Sequence, residues 1–320
     1  MNSLNNEPIN VLSLFDGIGV LRQSLKDLNI NVGSYIASEV ETHAMTVAKH
    51  NHPDIEHIGD VRHVDGTKYK NITLMAFGSP CTQLSILNGH NRTGLEGPDS
   101  GLFYEALRIL NEVKPKWFIM ENVASLPEKD KKIISELLSV EPVRINSALV
   151  GPARRDRLYW SNIPNITQPT DKGITLSSVL ENGVTDRNKA LAVLCRQPSY
   201  TVKGLTRHIK HGIGNIVYLD EQFCNLRKRY KLIQLEQLEN DESVKRLFRQ
   251  MTIKELCRLQ TLPDNYVSTD IIPKTACIKS LGNCFTLSIF NHLLGFADLP
   301  KLNPVVPIDN SINSFTKVAS

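Results

Sequence analysis

A chain of 320 residues with 41% hydrophobic and 22% charged residues can bury a sizeable core and should be globular and soluble. No apolar stretch approaches the length that crosses a bilayer, and the start MNSLNNEPIN lacks both a basic region and an apolar core, so neither a membrane partner nor a signal peptide is expected. A formal charge of +4 does not by itself announce nucleic acid, and six scattered cysteines (81, 195, 224, 257, 277, 284) without a C-x-x-C pair or a His/Cys cluster read as reduced thiols, with no metal site expected.

The first half alternates short apolar runs with amphipathic segments. VLSLF (11–15) reads as a buried strand, and VLRQSLKDLN after it has helical spacing. Further strands are expected at 32–40, 55–61, 72–78, 117–123 and 143–150, with helices at 41–52, 100–113 and 130–138. That alternation argues an α/β chain with a parallel, doubly wound sheet covered on both faces. After RDRLYWSNIP (155–164) it stops. Residues 165 to about 250 are polar and turn-rich, as in a smaller loop-rich domain. There, Lys203, Arg207, Lys210, Arg227, Lys228, Arg229 and Lys231 form a locally basic stretch, either a solvated face or a phosphate-tracking surface. Thr252 and Glu255 have the spacing of a capping box, and SLGNCFTLSIFNHLLG (280–295) ends in an amphipathic helix suited to return to the first domain. The tail from Lys301 reads as poorly ordered.

Three strand ends suggest a cofactor. LFDGIG closes the first strand and opens a helix, where glycines allow close backbone approach and helix-start N–H groups favour a polar ligand. Glu39 ends the second strand 20 residues after Gly19, where doubly wound folds put a carboxylate on ribose hydroxyls. Asp60, in GDVR, ends the third. An adenosine-bearing cofactor follows. The third glycine of a dinucleotide fingerprint is replaced by Arg22, so S-adenosylmethionine fits better than NAD.

Cys81 follows the fourth strand in FGSPCTQLS, past the apolar run where a packing cysteine would sit. Near helix-start N–H groups its thiolate would be favoured, as a nucleophile requires. Glu121, in MENV, ends the fifth strand on the same edge, where desolvation could raise its pKa so that it donates a proton. Arg155 and Arg157 are two apart and share a face if extended.

The ordered set FDGIG, Glu39, GDVR, GSPC, ENV, R-x-R, PSYTVKG and LGN, spanning residues 15 to 288, resembles the DNA (cytosine-5) methyltransferase family. YIASEV, DKKIISELL and SAL…RRDRLYW are most similar to the catalytic domain of the eukaryotic de novo enzymes. The resemblance implies a Rossmann-like S-adenosylmethionine-dependent methyltransferase fold, with a catalytic domain at 1–165 and 264–320 and a small target-recognition domain at 166–263. It implies Cys81 as the nucleophile that adds to carbon 6 of a flipped cytosine, Glu121 on ring nitrogen 3, and Arg157 with Arg155 on the ring carbonyl. Cofactor contacts are implied for Phe15, Asp16, Gly17, Ile18 and Gly19, for Glu39 and Val40, for Asp60 and Val61, for Pro80, and for Asn283 and Phe285. Double-stranded DNA is the implied partner, through Ser85, Ile86 and Leu87 as gap fillers and Lys203 and Arg207 on phosphates.

Departures touch positioning. Thr82 follows the cysteine where many relatives have Gln, and Ala153 stands two before the first arginine where many have Gln. One branch of the family methylates tRNA and carries Cys-Phe-Thr in its recognition region. Here CFT (284–286) lies inside the late motif, so DNA is the expected substrate, with tRNA or a catalytically silent DNA-binding role as alternatives. The short recognition segment and the lack of a chromatin-reading module suggest a free-standing prokaryotic or viral enzyme of the cytoplasm, of a restriction–modification kind. Whether it forms a homo-oligomer is left open.

Overall fold

The structure, a computed structural model, describes residues 7–78, 101–238 and 241–302. Among these, β1 (Ile9–Leu14), β2 (Val32–Ser38), β3 (Ile55–His57), β4 (Ile72–Phe77), β5 (Trp117–Val123), β6 (Val143–Asn146) and β7 (Asp156–Ser161) form one sheet. Its order is β3-β2-β1-β4-β5-β7-β6. Strands β1 to β5 pair in parallel, whereas β7 runs antiparallel to both β5 and β6. The expected all-parallel sheet is therefore corrected to a mixed one. The connection 147–155 is shorter than the dozen or so residues that a parallel crossover needs, so β7 can only fold back as a hairpin.

Alternation along the central strands divides the apolar residues between two faces. Leu74 and Ala76 face a core shared with α1 (Val20–Asp27) and α2 (Thr42–Asn51), whereas Met75 and Phe77 face one shared with α3 (Gly101–Val113) and α4 (Glu128–Leu138). Each fully buried Leu or Phe in these layers contributes about 1.5–3 kcal/mol. The C-terminal α9 (Ile253–Leu259), α10 (Lys274–Asn283) and α11 (Leu287–Leu294) join the first core, where Leu293 and Phe290 pack with Leu21 and Leu25. The amphipathic end of the chain does return to the sheet.

Between β7 and α9 lies a smaller unit. Its helices α5 (Val202–His211), α6 (Glu221–Asn225), α7 (Lys228–Glu236) and α8 (Asp241–Leu247), with the pair β8 (Val217–Tyr218) and β9 (Phe248–Arg249), enclose a third cluster of Leu205, Tyr218, Phe223, Leu235, Val244 and Phe248. Leu176, Ala190, Met251, Leu256 and Leu259, also in the segment 166–263, pack instead in the sheet's first core. The join is made by Glu255, fully buried, which accepts from both Arg249 Nη1 and Nη2 at 2.8 and 2.7 Å and from the Glu181 backbone at 2.8 Å. The capping box of Thr252 and Glu255 is present.

Register sets the functional edge. Leu14 lies beside Ser38 on β2 and Phe77 on β4, and Phe77 lies beside Met120 on β5. One residue further on each strand come Phe15, Glu39, Gly78 and Glu121. They form a single row along the carboxyl ends, at the point where the strand order reverses between β1 and β4.

Candidate active site

The β1–α1 turn holds three left-handed residues within five: Phe15 (φ 55°), Gly17 (61°) and Gly19 (77°). A Cβ on Gly19 would lie 3.3 Å from both Ala48 Cβ and Ile55 Cδ1, so that glycine lets the turn sit close on α2 and β3. A Cβ on Gly17 would meet no described residue within 4 Å, which leaves its backbone room to approach a ligand. Glu39 Oε2 accepts from Gly17 N–H at 2.8 Å, while its Oε1 accepts from the amides of Val40 and Glu41, each at 2.8 Å. A carboxylate offers about four acceptor positions, so Glu39 keeps capacity on Oε2 for a hydroxyl.

Asp60 does not end β3. It caps a single 3-10 turn, Val61–His63, and its side chain accepts from the Arg62 amide at 2.9 Å. Hydrogen bonding to Arg62 holds its carboxyl down at about 2, so it remains an acceptor at all working pH. Phe15, Glu39, Val40, Asp60, Val61 and Arg62 line a cavity of about 600 Å³, closed from α3 by Leu102 and Glu105. Of the three carboxylates on this wall, Asp60 pairs with Arg62 and Glu105 with Arg108, which leaves Glu39 as the one with no cationic partner among the described residues. Such a wall disfavours a pyrophosphate and suits a cofactor carrying hydroxyls, an amine and positive charge.

Beneath the turn, Asp16 is buried and accepts from Tyr35 Oη at 2.6 Å, with Oδ2 unpartnered among the described residues. Burial pushes its carboxyl from an ordinary 3.8 to about 6. Because the folded pKa is raised, the favourable contribution is complete below about pH 4 and is lost as pH rises through 6. Asp16→Asn should then raise unfolding stability by about 2–3 kcal/mol at pH 7.5 and by little at pH 4, as read from ligand-free denaturation curves.

Two strands away stands a charged cluster. Glu121 lies within β5 rather than at its end, opposite Tyr159 on β7, and only 8% of its surface is exposed. Arg157 Nε approaches Glu121 Oε1 at 2.7 Å, and Arg155 Nη2 approaches the same oxygen at 3.9 Å. The Arg157 N–H is not aligned with that oxygen, so the contact is an ion pair and each atom lacks a directed hydrogen bond. Both arginines reach one face, as their spacing predicts. Burial and the neighbouring Arg157 lower the Arg155 pKa, and its Nη1 donates to Gly282 O at 3.2 Å. Gly78 abuts the cluster: a Cβ there would lie 2.8 Å from Phe285 Cε1 and 3.4 Å from Glu121 Oε2.

Phe15, Glu39, Val40, Asp60 and Val61 thus meet at one cavity, and Glu121, Arg155 and Arg157 at one cluster. Phe285 packs tilted against Phe290 beside Gly78, with ring centroids 4.5 Å apart. Asn283 is exposed at the end of α10, where its Oδ1 accepts from Cys195 Sγ–H at 3.1 Å, and it does not line the cavity. Pro80, Cys81, Ser85, Ile86 and Leu87 lie outside the described residues. Lys203 and Arg207 are exposed on α5. Lys231 is a correction to the basic stretch as a phosphate-tracking surface: it is buried, with Nζ 3.4 Å from Asp186 and 4.6 Å above the Tyr218 ring.

Sequence reading missed two residues. Buried Tyr266 directs its hydroxyl to the carbonyls of Ile18 and Gly19 at 2.9 and 3.0 Å, propping the turn from nearly the far end of the chain. Gln260 donates from Nε2 to Leu281 O at 2.7 Å and accepts from Thr286 Oγ1 at 3.1 Å, clasping the late motif. Only their polarity within apolar surroundings marks them.

A family model described as C-5 cytosine-specific DNA methylase matches residues 9–141, from β1 through α4. Over that stretch the chain is similar to those methylases. Among the relatives of these methylases, the orphan methyltransferase M.SPRI of Bacillus phage SPR is 32% identical over 163 residues, covering 47% of this chain and 37% of its own. The type II methyltransferase M.Eco47II of Escherichia coli is 26% identical over 336 residues, covering 89% and 78%. The match spans only about a third of the length of the phage relatives. In fold, the chain is similar to the Entamoeba histolytica methyltransferase EhMeth (TM-score 0.66, 17% identity, 91% and 98% covered). It is also similar to Spodoptera frugiperda DNMT2 (TM-score 0.64, 16% identity, 90% and 99% covered). The fold is the Rossmann-like methyltransferase fold, with a small unit between β7 and α9.

Proposed function

We propose that this chain is an S-adenosylmethionine-dependent DNA cytosine-5 methyltransferase with Cys81 as its nucleophile. The observation that carries the reading is the Glu121–Arg157–Arg155 cluster, set beside Gly78, three residues before Cys81. Glu121 Oε1 and Arg157 Nε, which lack directed partners among the described residues, suit the edge of cytosine, whose carbonyl accepts while its exocyclic amine donates, with Arg157 Nη1 held on Asp156 O. Arg157 and Arg155 bind the carbonyl oxygen; Glu121 holds the amine and hydrogen-bonds or protonates ring nitrogen 3. That polarisation lets the Cys81 thiolate form an S–C6 bond, and the ring electrons move to carbon 5. S-adenosylmethionine, when bound, would supply the electrophilic methyl group that carbon 5 takes, with S-adenosylhomocysteine as the leaving group. Loss of the carbon 5 proton to a base then breaks the S–C6 bond and restores the ring and the thiolate. Reaching carbon 6 requires the base out of the duplex, at a cost of a few kcal/mol.

The residues present fit the cofactor. Glu39 and Asp60 offer acceptor oxygens to ribose hydroxyls and the adenine amine, and Val40 and Val61 offer apolar surface. Tyr266 is a positioning residue for this site. Tyr266→Phe should raise KM for S-adenosylmethionine several-fold and change kcat by less than about twofold, since a neutral hydrogen bond contributes about 1 kcal/mol. Equal losses in kcat and unfolding stability without a KM change would contradict it.

The functional test compares labelled-methyl transfer to duplex DNA and to tRNA, followed by bisulfite sequencing of the DNA. Label at cytosine in DNA is expected; labelling of tRNA alone would overturn the substrate assignment.

A further inference from the structure

The smaller unit contains a second cleft, of about 600 Å³, between α5, α7 and residues 185–188, away from the β1–β5 edge. Its lining includes Asp186, Arg187, His208, Lys228 and Lys231. Lys231 lies at the floor, 5% exposed, and the Arg187 side chain is three-quarters buried. Burying cations without matching anions is costly, so their partners can be counted. The one lining carboxylate, Asp186, already holds three donors: it accepts from Arg187 Nε at 3.0 Å and from Tyr218 Oη at 2.9 Å, with Lys231 Nζ at 3.4 Å. His208 adds no charge. Its Nδ1 donates to Ile213 O at 2.9 Å, and its Nε2 faces the Arg187 Nη2 donor at 3.4 Å, so the ring must be the neutral tautomer. Three cations therefore share one carboxylate among the described lining residues. Lys228 Nζ is anchored over the opening by donation to Lys210 O at 2.8 Å.

We propose that this cleft seats one backbone phosphate of the nucleic-acid substrate, clamped by Arg187 and Lys228 above Lys231. The inference rests on the DNA reading above and adds the ligand of a site outside the catalytic edge. A phosphodiester is favoured over a free anion because α5, which forms one wall, carries Lys203, Arg207 and Lys210 exposed at helical spacing. These extend the positive surface past the cleft, as a polyanion requires and a small ion does not.

The test measures duplex DNA binding at several salt concentrations for wild type, the double variant Arg187→Gln/Lys228→Gln, and Lys132→Gln, an exposed charge loss on α4. The double variant should flatten the slope of log K against log salt by about 0.9, the share of one phosphate, and weaken all DNA sequences alike. Lys132→Gln should keep the wild-type slope, and Arg187→Lys should restore most of it. An unchanged slope in the double variant overturns the cleft site, as does an equal loss in Lys132→Gln, which would reveal only a general field. If the double variant unfolds, exposed Lys228→Gln alone reads the same slope. Inorganic phosphate forms a second arm. A phosphate-dependent rise in Tm that the double variant loses, together with an unchanged DNA slope, would make the site one for free anions and overturn the phosphodiester. DNA binding with an unchanged slope sinks the cleft alone, whereas a wild-type chain that does not hold duplex DNA sinks the functional reading and the cleft's ligand together.

Discussion

Cys81→Ser should lower kcat for methyl transfer by about 10³-fold or more, while cofactor affinity stays within about twofold of wild type. A serine hydroxyl is scarcely ionised near neutral pH, whereas a cysteine thiol, with an ordinary pKa of about 8.5, supplies the far more nucleophilic thiolate. Without addition at carbon 6, carbon 5 of cytosine is too weak a nucleophile to take a methyl group. The change leaves Glu39 and Asp60 in place on the cavity wall, so binding of S-adenosylhomocysteine measured by calorimetry should survive. Substantial turnover in the serine variant would mean the nucleophile is another residue.

Glu121→Gln should produce the second large loss, about 10²–10⁴-fold in kcat, the range for a positioned acid or base. The amide keeps the shape and can still accept, but it cannot supply a proton to ring nitrogen 3. It also leaves Arg157 and Arg155 facing each other without their shared carboxylate, both mostly buried. Uncompensated buried charge costs more than the lost pair contributed, so unfolding stability should fall by about 1–3 kcal/mol. Steady-state kinetics and urea denaturation on the same preparation separate the two effects. A variant as unstable as expected yet fully active would make Glu121 a structural counter-ion only.

Much of this arrangement was readable from local rules. Buried strands followed by carboxylates identify a ligand-binding edge, because parallel strands place their carboxyl ends in one row, and register confirms that row for Phe15, Glu39, Gly78 and Glu121. The two-residue spacing of Arg155 and Arg157 fixes their shared face for the same reason. What escaped is long-range. The antiparallel return of β7 follows from the length of the turn before it rather than from any residue pattern. Lys231 looks like its basic neighbours in sequence, yet it pairs with Asp186, 45 residues away, inside the small unit. Tyr266 meets the cofactor turn across a separation of 248 residues, which no periodicity encodes. Asp60 moved from a strand end to a turn cap because Gly59, at φ 80°, breaks the strand just before it.

The central claim is covalent attack by Cys81 on cytosine. Duplex DNA carrying 5-fluorocytosine at the methylated position, incubated with the chain and S-adenosylmethionine, tests it most directly. Fluorine cannot leave carbon 5 as a proton does, so the S–C6 bond should persist. A denaturation-stable protein–DNA adduct is predicted, with the nucleotide mapped to Cys81 by peptide mass spectrometry and absent in Cys81→Ser. An enzyme that methylates ordinary cytosine but yields no adduct with the fluorinated base would contradict addition–elimination through Cys81.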